Sequence, residues 1–397
     1  PGSPSGLNVG MHDGARPTVD LVDREFYRSA GMHDAFTWMR ANEPVYRDEA
    51  NELWAVTRHA DLLDVERRSE VFVSGRGYRR HWEPSENNMI ASDDPVHQQQ
   101  RRLVSRGFTP KAVRRHEAGL AELIDELLDP IDGEVEVVDA LAAQLPARMT
   151  ARLLGFPEEN WRQVKSWSER LMRLDAQFED PAIEMAVGLA CMEFNQQLME
   201  MVPARRECPV DDLVSAWANA YEHDKVFNET GLFIAGGAET TRTAIAHGLR
   251  AFADHPDQCD RLAKEPDLVP TAVDEIIRWV TPLNNFFRTA IEDSTIGAQD
   301  VADGDRVILL YPSANRDEAV FEDPFTFDTT RRPNPHVAFG YGTHFCIGAN
   351  FAKYELVMLF AELTRRFTAP EVITEPDVEP NIFARAVRTF DLSLTRR

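Results

Sequence analysis

The chain has 397 residues, 43% of them hydrophobic, enough for a large buried core; 66 acidic against 43 basic residues give a formal net charge of −23. Such acidity argues against nucleic acid and anionic membrane surfaces as partners. No apolar run reaches the roughly 18 residues of a membrane-spanning helix, and the start of the chain lacks the apolar segment of a signal peptide. The four cysteines, Cys191, Cys208, Cys259 and Cys346, are scattered without C-x-x-C spacing. They build neither a zinc nor an iron–sulfur site, and their number suits a reducing cytoplasm.

In chain order, the stretch 1–14 is rich in Gly and Pro and reads as a loose N-terminus. A helix is predicted over Asp34–Asn42, followed by short strands at Pro44–Arg47 and Leu53–Thr57. The segment Val71–Asp94, with Gly75, Gly77 and Pro84, reads as a long irregular loop, and such loops in compact domains are usually functional. Helical periodicity then covers His97–Arg106, Lys111–Leu128, Ala140–Leu154, Glu158–Leu174, Ile183–Met201 and Asp211–Tyr221. Within this stretch Arg101, Arg102, Arg106, Lys111, Arg114 and Arg115 stand without an acidic residue among them. That pattern is either a solvated helix face or a docking patch for an acidic protein.

The longest predicted helix runs from about Glu229 to Ala253 and contains Gly-Gly-Ala-Glu-Thr-Thr at 236–241. Two adjacent glycines inside a helix cost roughly 1 kcal/mol each relative to Ala. Close approach of a flat group, or a locally weakened turn that admits water, would offset that cost. An acid beside an alcohol in such a turn, Glu239 and Thr240, can hold water and relay protons. The next helix, Leu268–Val280, carries Glu275 and Arg278 on one face. Strands are predicted at Phe286–Ala290, Arg306–Leu310 and Phe390–Leu394, and a last helix at Ala349–Arg366.

Immediately before that helix, residues 339–348 read Phe-Gly-Tyr-Gly-Thr-His-Phe-Cys-Ile-Gly. Gly340, Gly342 and Gly348 remove side chains where the backbone must pass a flat object. Cys346 falls close to a helix N-terminus, where backbone N–H groups are expected to lower its thiol pKa and prepare a thiolate for one metal coordination position. The alternative is a buried structural cysteine.

The pattern F-x-x-G-x-H-x-C-x-G resembles the haem-thiolate loop of the cytochrome P450 monooxygenases, with every fixed position matched. The resemblance implies a mainly α cytochrome P450 fold: a helical domain over 15–397 with a small β-rich lobe and buried haem b, iron protoporphyrin IX. Cys346 would be the axial ligand, thiolate ligation favouring O–O cleavage, with Gly348 beside it. Gly236 and Gly237 would sit over the porphyrin, Thr240 would bond to bound O2, and Glu239 would feed protons. His97, Arg101, Arg288 and His344 match the family's propionate anchors. Glu275, Arg278 and Arg331 would form a buried structural network. The basic segment 101–115, joined by Lys353, would dock a ferredoxin or flavodoxin, since the sequence holds no flavin or reductase domain. A monomeric cytoplasmic enzyme is expected.

By the same analogy the substrate pocket draws on Trp82, Met89, Ile90, Phe233, Leu283, Phe286, Phe287 and Phe383, with Phe72, Phe178, Leu232 and Ile382 also in pocket segments. This lining suits a bulky hydrophobic molecule such as a steroid or terpenoid. The opening stretch and Asn-Asn-Phe-Phe-Arg-Thr at 284–289 also resemble actinobacterial members acting on sterol side chains. Arg76, Arg79, Arg80 and His81 in the loop could instead meet a carboxylate or polar group on the substrate. The alternatives are a tailoring hydroxylase of a smaller aromatic or polyketide-like substrate, a peroxide-using peroxygenase, or a haem-thiolate sensor without turnover. The Glu239–Thr240 pair disfavours the last two.

Overall fold

A computed structural model describes residues 16–397; the stretch 1–14, expected to be loose, lies outside the described residues. The molecule is organised around one long helix, His223–Asp254. Its apolar positions recur at helical spacing on more than one side, so it is buried on several faces. Helices Gln144–Leu154 and Trp161–Leu171 pack against one part of it and Val269–Val280 against another. The helix Ala349–Arg366 lies against Val269–Val280, Pro256–Lys264 and Glu117–Leu128. Gly248 permits the closest approach here: a Cβ would lie 2.8 Å from Phe360 Cζ and 3.0 Å from Ile276 Cγ2.

The β-rich lobe is a five-stranded sheet in the order Val45–Asp48, Leu53–Val56, Arg306–Leu310, Asn285–Ala290, Phe72–Val73. Leu53–Val56 and Arg306–Leu310 run parallel; the other pairs are antiparallel. Phe287 faces Ile308 and Arg288 faces Val307 across the central pair. Because strand side chains alternate, Phe286 and Arg288 share one face and Phe287 takes the other. A three-stranded sheet joins Gly133–Glu136, Asp391–Leu394 and Glu371–Val372.

Several predicted helices are subdivided. Lys111–Leu128 is a short helix Pro110–Val113, a 3-10 turn Arg114–His116 and a helix Glu117–Leu128. A 3-10 turn alters the rise without erasing the apolar pattern, so periodicity alone does not reveal it. Ala140–Leu154 begins instead with a π-helical turn, Val138–Ala142. The helix predicted over Ile183–Met201 extends across Pro181–Glu207, passing through Pro203. The helix His59–Arg67 was not predicted; its first N–H, on His59, donates to Asp317 Oδ2 at 2.8 Å, a cap from 258 residues away.

Candidate active site: a thiol loop facing a large cavity

The loop before Ala349–Arg366 turns twice through left-handed backbone, at Gly340 (φ +68°) and Gly342 (φ +67°). A side chain at Gly342 is also sterically barred, since a Cβ would come 2.4 Å from the Glu66 carbonyl oxygen. The Cys346 N–H donates to the Phe339 carbonyl at 2.9 Å. The thiol meets the backbone N–H groups of Gly348 and Ala349 at the helix start. Its pKa is nonetheless raised: burial dominates, and the two N–H groups and Arg101 only partly oppose it. The expected lowering is therefore corrected, because desolvation outweighs the helix terminus and Arg101 together. A coordinated metal ion would reverse the balance, since a coordinating thiol is deprotonated outright.

Cys346 opens into a cavity with about 1710 Å3 of non-protein space. The space runs from the Cys346 loop to the central helix and on to the 71–94 loop, so a flat cofactor against the thiol would leave room for a substrate beside it. Gly236, Gly237, Thr240, His97, Arg101, Arg288, His344 and Gly348 all line it. So do Met89, Ile90, Phe233, Leu283, Phe286 and Phe383, together with Leu232.

Two pocket expectations are corrected. Phe287 points to the opposite face of its strand, is buried, and lies 5.3 Å from the Arg306 guanidinium. Trp82 is 54% exposed at the surface of the 71–94 loop and does not line the cavity. Phe178 is likewise exposed, and Phe72 and Ile382 are core residues outside the lining. Sequence reasoning missed Met149, Thr150, Met172, Glu66, Tyr311 and Glu355, all of which line the cavity. Glu355 was findable: it stands one turn after Phe351 on the buried face of the last helix. Burial with no compensating partner raises its carboxyl well above the usual range.

At one end of the cavity cationic groups converge. His97 is buried, its Nδ1 2.6 Å from the Met89 carbonyl and its Nε2 3.0 Å from that of Thr343. Arg101 Nη2 donates to the Phe345 carbonyl at 2.6 Å. Arg288 Nη1 donates to the Phe287 carbonyl at 2.8 Å, and its Nη2 lies 3.7 Å from Glu66 Oε1. The His344 ring is 4.1 Å from that of His97. Burial, with Arg288, His97 and Arg101 nearby, pushes the His344 pKa down to about 2, and its Nδ1 is buried without a partner. Glu66 is the one carboxyl among them, pushed up to about 7 by burial. Two arginines converging on a space with an orphaned imidazole nitrogen fit a ligand bearing carboxylates. A haem lying against Cys346 meets that requirement through its two propionates.

On the central helix Thr240 faces the cavity, its Oγ1 donating to the Gly236 carbonyl at 2.8 Å. The helix runs unbroken through the Gly pair. Gly236 has open space where a side chain would be, whereas a Cβ on Gly237 would lie 2.7 Å from Thr150 Oγ1. Gly237 therefore serves helix packing as well as the cavity wall. Glu239 does not line the cavity: it is 1% exposed and ion-paired with Arg242, which also pairs with Glu169. Successive helical residues point about 100° apart, so adjacency in sequence separates the acid from the alcohol in space.

Glu275 and Arg278 are fully buried, and Arg278 Nε and Nη2 each donate to the carboxylate at 2.7 Å. Arg331 approaches to 3.2 Å, and the Asn334 amide and Asp328 N–H also donate to Glu275. Arg102, Arg106, Lys111, Arg114 and Arg115 are exposed, and among the described residues no carboxylate lies within ion-pair distance of them. Lys353 is not part of that patch in the sense expected, because it pairs with Asp274 at 2.6 Å. The Asn350 amide donates to the Phe108 carbonyl at 3.0 Å, joining the basic segment to the helix that follows Cys346.

The family model for cytochrome P450 matches residues 131–389. The steroid C26-monooxygenase of Mycobacterium tuberculosis is 37% identical over 375 residues, 92% of this chain and 93% of that protein. The linalool 8-monooxygenase of Pseudomonas putida is 34% identical over 87% of this chain and 91% of its own length. The structure of CYP268A2 from Mycobacterium marinum, in complex with pseudoionone, superposes with a TM-score of 0.86 at 32% identity. That match covers 97% of this chain and all of the other. The family model and these relatives place the chain in the cytochrome P450 family, as a haem-thiolate monooxygenase, and the thiol loop facing the cavity fits that family. Among the described residues no helix is long and apolar enough to cross a membrane.

Proposed function

We propose that the enzyme hydroxylates a bulky, mostly hydrocarbon molecule of the steroid or terpenoid class, using haem b and electrons from a separate ferredoxin or flavodoxin. The apolar wall of Met89, Ile90, Phe233, Leu283, Phe286 and Phe383 carries this reading. Each methylene buried against it contributes about 0.8 kcal/mol. The steroid, linalool and pseudoionone named for its relatives point the same way.

Haem, when bound, supplies the reductive activation of dioxygen. The chain's own part is to hold and feed it. Cys346 would ligate the iron, and His97, Arg101, Arg288 and His344 would hold the propionates. Thr240 presents a hydroxyl at the cavity wall, and Glu239, the preceding residue, held by Arg242 behind that wall, is the acid from which protons would be fed. The apolar wall keeps bulk water from the reacting face. The exposed bases from Arg102 to Arg115 steer an acidic donor to the Cys346 side of the molecule.

The test is a titration of the haem-loaded enzyme with steroids, terpenoids, fatty acids and small aromatic acids, read by the haem absorption shift. Tight binding of steroids or terpenoids is expected. Binding confined to small charged aromatics would refute this reading in favour of a tailoring role on a smaller substrate.

A further inference from the structure

The cavity carries one charge that haem binding leaves unused. Among its ionisable lining residues, His97, Arg101, Arg288 and His344 form the cradle, Glu66 faces Arg288, and Glu355 lies on the helix after Cys346. Arg79 remains. It comes from the 71–94 loop and is 6% exposed. Its guanidinium lies 3.9 Å from the centre of the Phe383 ring, and its Nη1 is 3.5 Å from Asp175 Oδ2. Its Nε–H is buried without a partner. Asp175 belongs to an outer cleft with about 320 Å3 of open space, and Met172 lines both this cleft and the inner cavity. The Arg79–Asp175 pair thus stands where the charged outer cleft meets the inner cavity, beside Met172, Leu283, Phe286 and Phe383 on the inner side.

We propose that Arg79 reads the oxygen-bearing end of the substrate, donating a hydrogen bond to a neutral acceptor such as a ketone. The proposal rests on the steroid or terpenoid reading above and specifies how such a molecule lies, with its oxygen at Arg79 and its apolar end toward Cys346. Charge selects the acceptor. Arg79 and Asp175 together are neutral, and the further charges facing them, Glu86 beside Arg79 and Arg306 beside Asp175, cancel as well, so a ketone adds a hydrogen bond without adding charge. A carboxylate would bring an uncompensated negative charge into a buried place beside Asp175. An unpartnered, buried N–H is also a group whose satisfaction on binding favours the ligand that supplies an acceptor.

The experiment uses the haem-loaded enzyme and three matched probes: a 3-keto steroid with a saturated side chain, the same skeleton without the 3-oxygen, and the same skeleton with a carboxylate at that end. Spectral titration of the parent is expected to favour the ketone over the deoxygenated skeleton by about 10- to 100-fold. In Arg79→Met, with haem content and the reduced carbon monoxide spectrum as controls of folding, that ratio should fall within about twofold while hydrocarbon affinity stays. Asp175→Asn provides an independent arm: removing the balancing carboxylate should shift preference toward the carboxylate probe by about 10-fold. A ketone preference unchanged in Arg79→Met, a parent that binds ketone and hydrocarbon equally, or an Asp175→Asn enzyme with unchanged selectivity would each overturn the proposal while leaving the steroid reading standing. A parent that binds none of the three skeletons refutes the steroid reading, and the proposal with it.

Discussion

Glu275→Gln isolates the scaffold that presents Cys346. The substitution keeps the shape of the side chain and removes its charge. In the parent the carboxylate accepts two bonds at 2.7 Å from Arg278, one at 3.1 Å from Asn334 and one at 3.0 Å from the Asp328 N–H, with Arg331 close by. In the variant the amide NH2 would turn toward some of these donors, and Arg278, which is fully buried, would lose its counter-charge. Its remaining partners are carbonyls of Asn315 and Pro324, each at 2.9 Å, and of Thr326 at 3.3 Å. Removing one partner of a buried ion pair costs about 3–5 kcal/mol. Against a typical stability of about 5–15 kcal/mol, that is a large fraction. The damage should concentrate in the segment from Asp328 to Asn334, which leads directly into the Cys346 loop. Urea unfolding followed by circular dichroism should show the loss of stability. The fraction of purified protein carrying haem should fall with it. A stability change under about 1 kcal/mol with unchanged haem content would refute the assignment of this network as the support of the loop.

The other predictions concern protons, the electron donor and pH. Thr240→Ala should leave haem and substrate binding near the parent's but release peroxide instead of product; an unchanged ratio of product to electrons consumed would remove the hydroxyl from proton delivery. Reversing charge at Arg106, Lys111 and Arg115 should slow reduction by an acidic ferredoxin, most at low salt because screening already weakens surface attraction at high salt; identical rates across a salt series would return these residues to a solvated face. Burial holds the Glu66 carboxyl up at about 7 in the folded chain, whereas an unfolded glutamate ionises near its ordinary value of about 4.3. The folded state therefore keeps a proton that the unfolded state has lost, and stability falls as pH rises through that window, by about 4 kcal/mol once pH passes the folded value. In Glu66→Gln this part of the decline should vanish; haem-free parent and variant showing the same change in stability between pH 5 and 8 would contradict it.

Much of the site was legible because its signals are local. A cysteine in a Gly-spaced loop before a helix, a Gly pair inside a helix and His97 one turn before Arg101 are patterns within ten residues of chain. The helix predicted at Ala349–Arg366 and the strand at Arg306–Leu310 have the observed bounds. Elsewhere the local pattern was incomplete. The helix His59–Arg67 depends on a cap from Asp317, and with that helix unrecognised, Glu66 at its last turn was invisible as a cavity residue.

The sequence by itself determined the chemistry available: one thiol at a helix start, a set of propionate-sized cations, an acid and an alcohol side by side, and aromatic side chains for a pocket. Only the tertiary structure decided which way each of them faces and what surrounds it. Helical rotation put Thr240 in the cavity and Glu239 against Arg242; strand alternation put Phe286 in the cavity and Phe287 behind it. The Cys346 thiol is raised rather than lowered, Glu66 is raised, and Arg79 retains a free N–H. All three outcomes depend on which groups distant in the chain displace water around them. Desolvation and pairing are properties of a packed neighbourhood, and a residue's place in the chain does not contain them.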